Sequence, residues 1–391
     1  PVTVASLMYF GLVQNLVELA CVYPNATGPQ SYVEYAFGQK WGYFIGLAIL
    51  FEFLFATPAI ASSLGEYLGF LMDDLPMSPW IATIFLLLFS VINLFEMHVG
   101  VRLLVILTLL AIAELFLYQG SVLSSFKMDN LASSRVGSLD VQSFIGAIPY
   151  AIWLFLAIEG ISLMTNAVDR KGFRKTITMG YNLAFFTLLG LALLVLFLAA
   201  GGIDWNIPES MEILKENHPM PASMALILGK EHFLVQLFTF IGLFGLIASL
   251  QGIAFAATTQ LEPLLPIAKI KGISKRAMAS TLVFIISLIA IWSSQTGFLI
   301  ELSVFGAVCM YLAVSASLLY LRKIRVVNKS ISTKISEYSH NDFNSIFSTF
   351  NAVVAMIISL ICILAFAYLQ FQAFIIFIVC SLIYVFLIRK I

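Results

Sequence analysis

The sequence predicts an all-α, polytopic membrane protein, and three observations carry that expectation. Hydrophobic residues make up 61% of the 391 and charged residues only 11%, against about half and a quarter in soluble domains. Mean hydropathy is +0.99. The apolar residues run in long stretches near the ~20 residues that a helix needs to cross a bilayer.

Eleven candidate spans follow in order, at about 2–21, 41–71, 79–97, 101–120, 143–166, 178–202, 232–257, 278–294, 297–321, 349–369 and 371–388. Lys and Arg placement orients them. With the 22–40 connection in the cytoplasm and the spans alternating, 17 of the 21 basic residues fall on the cytoplasmic side. Arg170, Lys171, Arg174 and Lys175 lie there, while only Lys127, Arg135, Lys215 and Lys230 lie outside. This places the C-terminus in the cytoplasm, in a plasma (inner) membrane. Pro1 then lies outside, within an apolar run, which predicts a further helix before it. The 202–231 connection mixes acids, two lysines and three prolines, and predicts short surface helices. The stretch 326–348 is rich in Lys, Ser and Asn. It divides a core, 1–325, from a terminal helix pair, 349–391, as a cytoplasmic linker.

Composition excludes several functions. The net charge is zero, which gives no electrostatic case for nucleic acid. The four cysteines lie in or beside apolar runs without CxxC spacing. His98, His218, His232 and His340 sit at span ends or in loops and do not pair at metal spacing, so no metal or cofactor is expected. There is no HExxH, no GxSxG and no paired midplane His or Asp, so no enzyme is expected.

The stretch Ser143–Asn166 is the exception among the spans. Pro149 removes a helical N–H. Glu159 and Gly160 then place a costly carboxylate and a flexible residue deep in an apolar run. Non-helical backbone at membrane depth is tolerated where it is buried in protein or lines water. A broken helix lining a substrate site is therefore expected. Glu159 either couples proton occupancy to transport or caps free backbone N–H groups at the break. Glu52, in Phe51-Glu52-Phe53, offers a carboxylate among aromatic rings, a suitable place for a small ammonium ion. Snorkelling, or pairing with another helix, is the alternative. Glu52, Phe53, Ala56 and Thr57 share one helical face. Trp153 and Phe155 are lid candidates or packing residues. Ser249 and Gln251 stand in an otherwise apolar span, Ser303 in a later one, and each either binds a hydroxyl or mediates helix packing. Glu18, Glu66, Glu96 and Glu301 read as structural or interfacial, and Glu114 lies deeper without an assigned role.

Several patterns together resemble the amino acid–polyamine–organocation transporters, and within them the ethanolamine permeases. They are Glu18-Leu19-Ala20 with Pro24-Asn25-Ala26-Thr27-Gly28-Pro29, then Ile148-Pro149-Tyr150 through Ile158-Glu159-Gly160, then Gly242-Leu243-Phe244-Gly245 through Ser249. The likeness runs to about residue 325. It implies an inverted five-plus-five helix repeat plus two terminal helices, with helices one and six unwound at the midplane. The visible spans are then helices two to twelve, 11 of 12, with the first missing. After the eighth helix, Thr258 through Pro266 reads as a shortened loop. The resemblance puts Trp153, Ala157, Ile158, Glu159 and Gly160 at the sixth-helix break, Phe244, Ser249 and Gln251 on the eighth helix and Ser303 on the tenth. It implies alternating-access transport of a small amine, ethanolamine first, with H+ or Na+ as coupling ion. An amino acid permease, or a transport-dead receptor, is the alternative.

Overall fold

The computed structural model describes residues 1–26, 28–72, 78–94, 101–131, 141–169, 171–213, 218–265, 274–327 and 346–388. Most of the expected linker and the end of the expected shortened loop therefore lie outside the described residues, as do Glu96, His98 and His340. Among the described residues, nine helical stretches are long and apolar enough to span a membrane. The shorter apolar helices Ser78–Leu94 and Phe371–Leu382 stand at two further predicted positions. The all-α, multi-pass class is the one observed.

The order begins with α1 (Val2–Val22), a short α2 (Pro29–Phe37) and a long α3 (Gln39–Leu71). Next come α4 (Ser78–Leu94), α5 (Val101–Leu123) and the one-turn α6 (Met128–Leu131). The broken span follows as α7 (Val141–Gly146), α8 (Ile148–Trp153) and a 3-10 helix (Ile158–Ala167). Then α9 (Phe173–Gly202) leads to α10 (Pro208–Ile213) and α11 (Pro219–Leu228). The last are α12 (Phe233–Leu264), α13 (Lys275–Trp292), α14 (Thr296–Val327), α15 (Ile346–Leu369) and α16 (Phe371–Ile388). The expected helices between α9 and α12 form. However, α11 is not a surface helix, because Met224 and Ser223 are buried and Ser223 shares a 2.9 Å hydrogen bond with Tyr118 of α5.

The centre of the molecule is α3, packed against α12 on one side and α14 on the other. α3 stays helical through Pro58, although proline deprives the Leu54 carbonyl of its helical donor. α14 approaches α3 so closely at Gly306 that a Cβ there would strike the Ala48 carbonyl oxygen and meet the Glu52 nitrogen at 2.9 Å. Two steps from that contact the Ser303 hydroxyl donates to the Glu52 carbonyl at 2.7 Å. Small residues let helices approach in this way where lipid supplies no hydrophobic drive for association. The terminal helices pack onto the same centre. Phe377 of α16 lies 5.1 Å from Phe51 and 5.0 Å from Phe305, centroid to centroid.

One buried ion pair fixes the ends of α1, α14 and α15. The Arg322 Nε donates to Glu18 Oε1 at 2.8 Å, and a second guanidinium nitrogen reaches Glu18 Oε2 and Ser348. Its Nη1 donates to Thr349 at 2.8 Å. Glu18 is thus structural, as its place near the span end suggested.

Replacing Gly306 with Val is expected to push α14 off α3 and to lower the thermal unfolding midpoint in detergent, with an overpacking cost of about 1–3 kcal/mol. Gly306→Ala should cost less. An unchanged midpoint for Gly306→Val would show that the close approach is not a constraint.

Candidate functional site

The 143–166 span breaks where the sequence suggested, by a different residue. Pro149 stands in the first turn of α8, where its missing N–H has no helical partner to lose. It starts a helix rather than breaking one. α8 ends at Trp153, and Ala157 takes the left-handed conformation with φ 71° and ψ 5°. A side-chain-bearing residue there costs about 1–2 kcal/mol. Gly160, expected to supply the bend, has no positive φ and lies inside the 3-10 helix; its N–H donates to the Ala157 carbonyl at 3.0 Å. Hydroxyls serve carbonyls that the tighter helix leaves. Ser162 donates to the Glu159 carbonyl at 2.6 Å and Thr165 to the Ser162 carbonyl at 3.1 Å. Thr165 also reaches the Ala26 carbonyl at 3.4 Å, tying the segment to the chain after α1.

The break carries Glu159 to Glu52. The two carboxyl groups lie beside each other, with the Ala157 backbone against Glu52. Glu52 is fully buried and Glu159 is 2% exposed. Neither Glu52 oxygen, nor Oε1 of Glu159, has a hydrogen-bond partner of acceptable geometry among the described residues. The Tyr311 hydroxyl reaches Oε2 of Glu159 at a long 3.4 Å. It also shares a 2.5 Å hydrogen bond with the Tyr9 hydroxyl. With Tyr311 donating to Glu159, Tyr9 donates to Tyr311. The Tyr9 ring is flanked by Phe155 and Tyr311, each at 5.1 Å. Two adjacent carboxylates without a basic partner among the described residues cannot both stay ionised in such a place, so the pair holds a proton or a cation.

Around the pair, Phe53, Ala56, Thr57, Ile158 and Ser303 are buried. Thr57 and Ser303 spend their hydroxyls on backbone: Thr57 donates to the Phe53 carbonyl at 2.8 Å, and Ser303 pins α14 to α3 at Glu52. Trp153 is half-buried and packs with Phe55, Ala59 and Leu299.

The eighth-span candidates stand apart. Ser249 is exposed and Phe244 half-buried on α12, with Phe244 against Phe240 at 5.4 Å. Gln251 turns to α4, donating to Asn93 Oδ1 at 3.2 Å. Sequence reasoning missed Tyr9 and Tyr311. A signal was present, since a tyrosine hydroxyl in mid-span must find a polar partner. Among the described residues, no group of three His, Cys, Asp or Glu side chains converges as metal ligands.

Two substitutions probe this geometry. Ala157→Val should lower the unfolding free energy by about 1–2 kcal/mol, while Ala157→Gly should not. Tyr311→Phe should cost about 1–3 kcal/mol by stranding Tyr9 and Glu159. Equal midpoints for the Val and Gly variants in a thermal melt would remove the left-handed turn from the account.

The chain matches the family model described as "Amino acid permease" over residues 2–388. No curated protein sequence matches it. Among solved structures, it resembles a manganese transporter of Eremococcus coleocola in complex with an aromatic bis-isothiourea substituted compound. The TM-score is 0.56 at 14% identity, covering 100% of this chain and 86% of that one. Two mutant structures of the same transporter align at TM-score 0.54 and 15% identity, with the same coverage. At such identity these structures show the fold alone. The multi-pass helical architecture and the near-complete family match together place the chain in the amino acid permease family, as a membrane transporter and not an enzyme.

Proposed function

We propose that the chain is a secondary active transporter of a small organic amine, with ethanolamine as the first candidate substrate, working by alternating access. The observation that supports this most is the buried Glu52–Glu159 pair at the break of the sixth span. It is anionic in character, walled by aromatic rings and without a basic partner among the described residues. An ammonium group entering there is neutralised by carboxylate and stabilised by the faces of the surrounding rings. Glu52 meets the ammonium. Glu159, on the break, gives up or takes a proton as the cation arrives or leaves, which makes H+ the natural coupling ion. The left-handed turn at Ala157 is the point at which the two halves of the span can move relative to each other, as broken helices do in alternating access.

An amino acid substrate is the second reading, and the family's description favours it. Its ammonium would use the same two carboxyls, but its carboxylate needs donors, and the pair offers only acceptors. Both readings take the C-terminus as cytoplasmic, which the basic asymmetry supports, and the plasma (inner) membrane as the proposed location.

Uptake of labelled ethanolamine into proteoliposomes tests the proposal. Glu52→Gln is expected to reduce uptake roughly tenfold or more, the loss of about 1.4 kcal/mol or more of cation stabilisation. Unlabelled ethanolamine should compete and neutral amino acids should not. Full uptake in Glu52→Gln would remove Glu52 from the site. Competition by amino acids alone would establish the second reading, and binding without counterflow would mark a receptor.

A further inference from the structure

A separate feature lies on the outer face of the helix array, away from the carboxyl pair. A concave apolar cavity of 480 Å³ opens between α2, α3, α14 and α15. Phe37, Trp41 and Phe44 form one wall, and Cys309, Ala313 and Ile363 form much of the other. Among the described residues, the Cys309 thiol and the Trp41 indole are the only polar side chains that line it.

The α14 wall is a single helical stripe. Cys309, Leu312, Ala313 and Ala316 recur at spacings of three and four, and Tyr320 and Lys323 continue the same face. The stripe therefore runs from apolar to aromatic to cationic. The facing wall repeats that order. Lys40 precedes the exposed Trp41 and shares the face of Phe44, one turn on. The walls meet where the Phe37 and Tyr320 rings lie 5.0 Å apart. Lys40 and Lys323 each follow one member of that aromatic pair by three residues. Both are exposed, and neither forms an ion pair among the described residues. Trp41, 58% exposed, and Tyr320, 42% exposed, are the residue types that settle at the headgroup level of a bilayer.

We infer that this groove is a binding site for an anionic phospholipid, with an acyl chain in the cavity and the phosphate held by Lys40 and Lys323. The charge complementarity selects the occupant. A neutral lipid would fill the cavity and leave two cations unmatched at the headgroup level, whereas an acidic headgroup is attracted by each basic residue near the surface. The groove borders α3 and α14, the helices that carry Glu52 and Ser303. A lipid wedged between α2, α3 and α14 therefore acts on the scaffold of the carboxyl pair without touching it.

The test uses the full chain reconstituted in nanodiscs of phosphatidylcholine, with or without phosphatidylglycerol of the same acyl chains. Two readouts are taken: the thermal unfolding midpoint, and the rate at which a membrane-permeant maleimide modifies Cys309, followed by peptide mass spectrometry. Phosphatidylglycerol is expected to raise the midpoint and to slow Cys309 modification severalfold. In the Lys40→Gln, Lys323→Gln double variant both effects should vanish, with behaviour in pure phosphatidylcholine unchanged. Both lysines are exposed, so this variant is expected to fold. Identical midpoints and rates in the two lipids would overturn the inference. So would a phosphatidylglycerol effect that the double variant retains, because the lipid would then act elsewhere.

Discussion

The structure turns on two carboxyl groups held side by side in an apolar interior. Glu52 comes from the long central helix α3 and Glu159 from the far side of a helix break, and both are shut off from water. Such an arrangement opposes folding unless a proton or a cation neutralises it. Everything nearby serves to hold it in place. Ser303 clamps the α3 backbone at Glu52 itself, and Gly306 lets α14 come close enough to do so. The tyrosine pair from α1 and α14 gives Glu159 a long hydroxyl contact. The left-handed Ala157 brings the break into position.

The other acids show that this exposure to one another is specific. Glu18 has Arg322 and Ser348, Glu262 has Arg276 at 3.6 Å, and Glu301 accepts from Gln370 at 2.6 Å. In each case a cationic or amide donor from another element or connection meets the carboxylate and ties two parts of the chain together. Glu114 is intermediate: it is 8% exposed and its carboxyl fills the notch left by Gly242, beside Tyr67. Glu52 and Glu159 are thus the acids that the protein brings together and leaves short of partners.

Much of this was legible in the sequence, for a physical reason. An ionisable residue deep in an apolar run is costly, so Glu52 and Glu159 declare themselves by composition alone. The break declares itself by a carboxylate and a glycine inside a span. What could not be read is which backbone position bends. Gly160 was the natural choice because it has no steric penalty, yet the strain sits on Ala157, where tertiary contacts override local preference. Contacts between distant helices were equally hidden. Nothing in Leu7-Met8-Tyr9-Phe10 indicates that Tyr9 meets Tyr311, 302 residues away. Gln251 left two readings open, a hydroxyl ligand or a packing contact; in the structure its amide donates to Asn93 on α4. Polarity in an apolar run predicts that a hydrogen bond exists, but not with what.

The strained turn and the unpaired acids explain each other. A site finished with a basic residue would be stable and inert, because an ion pair buried in low dielectric has no reason to open. A site of two acids alone is not finished until something positive arrives, and the best neutraliser can change with the state of the helix break. A small proton between the carboxyls suits a closed pair. In the proposed function a larger cation moves them apart, and the left-handed Ala157 lies on that path. Cargo occupancy and backbone geometry are coupled in that proposal through one quantity, the separation of Glu52 and Glu159. α3 is held at Glu52 by Ser303 and by the close approach at Gly306, so the motion falls on the side of Glu159, the carboxyl carried by the broken span.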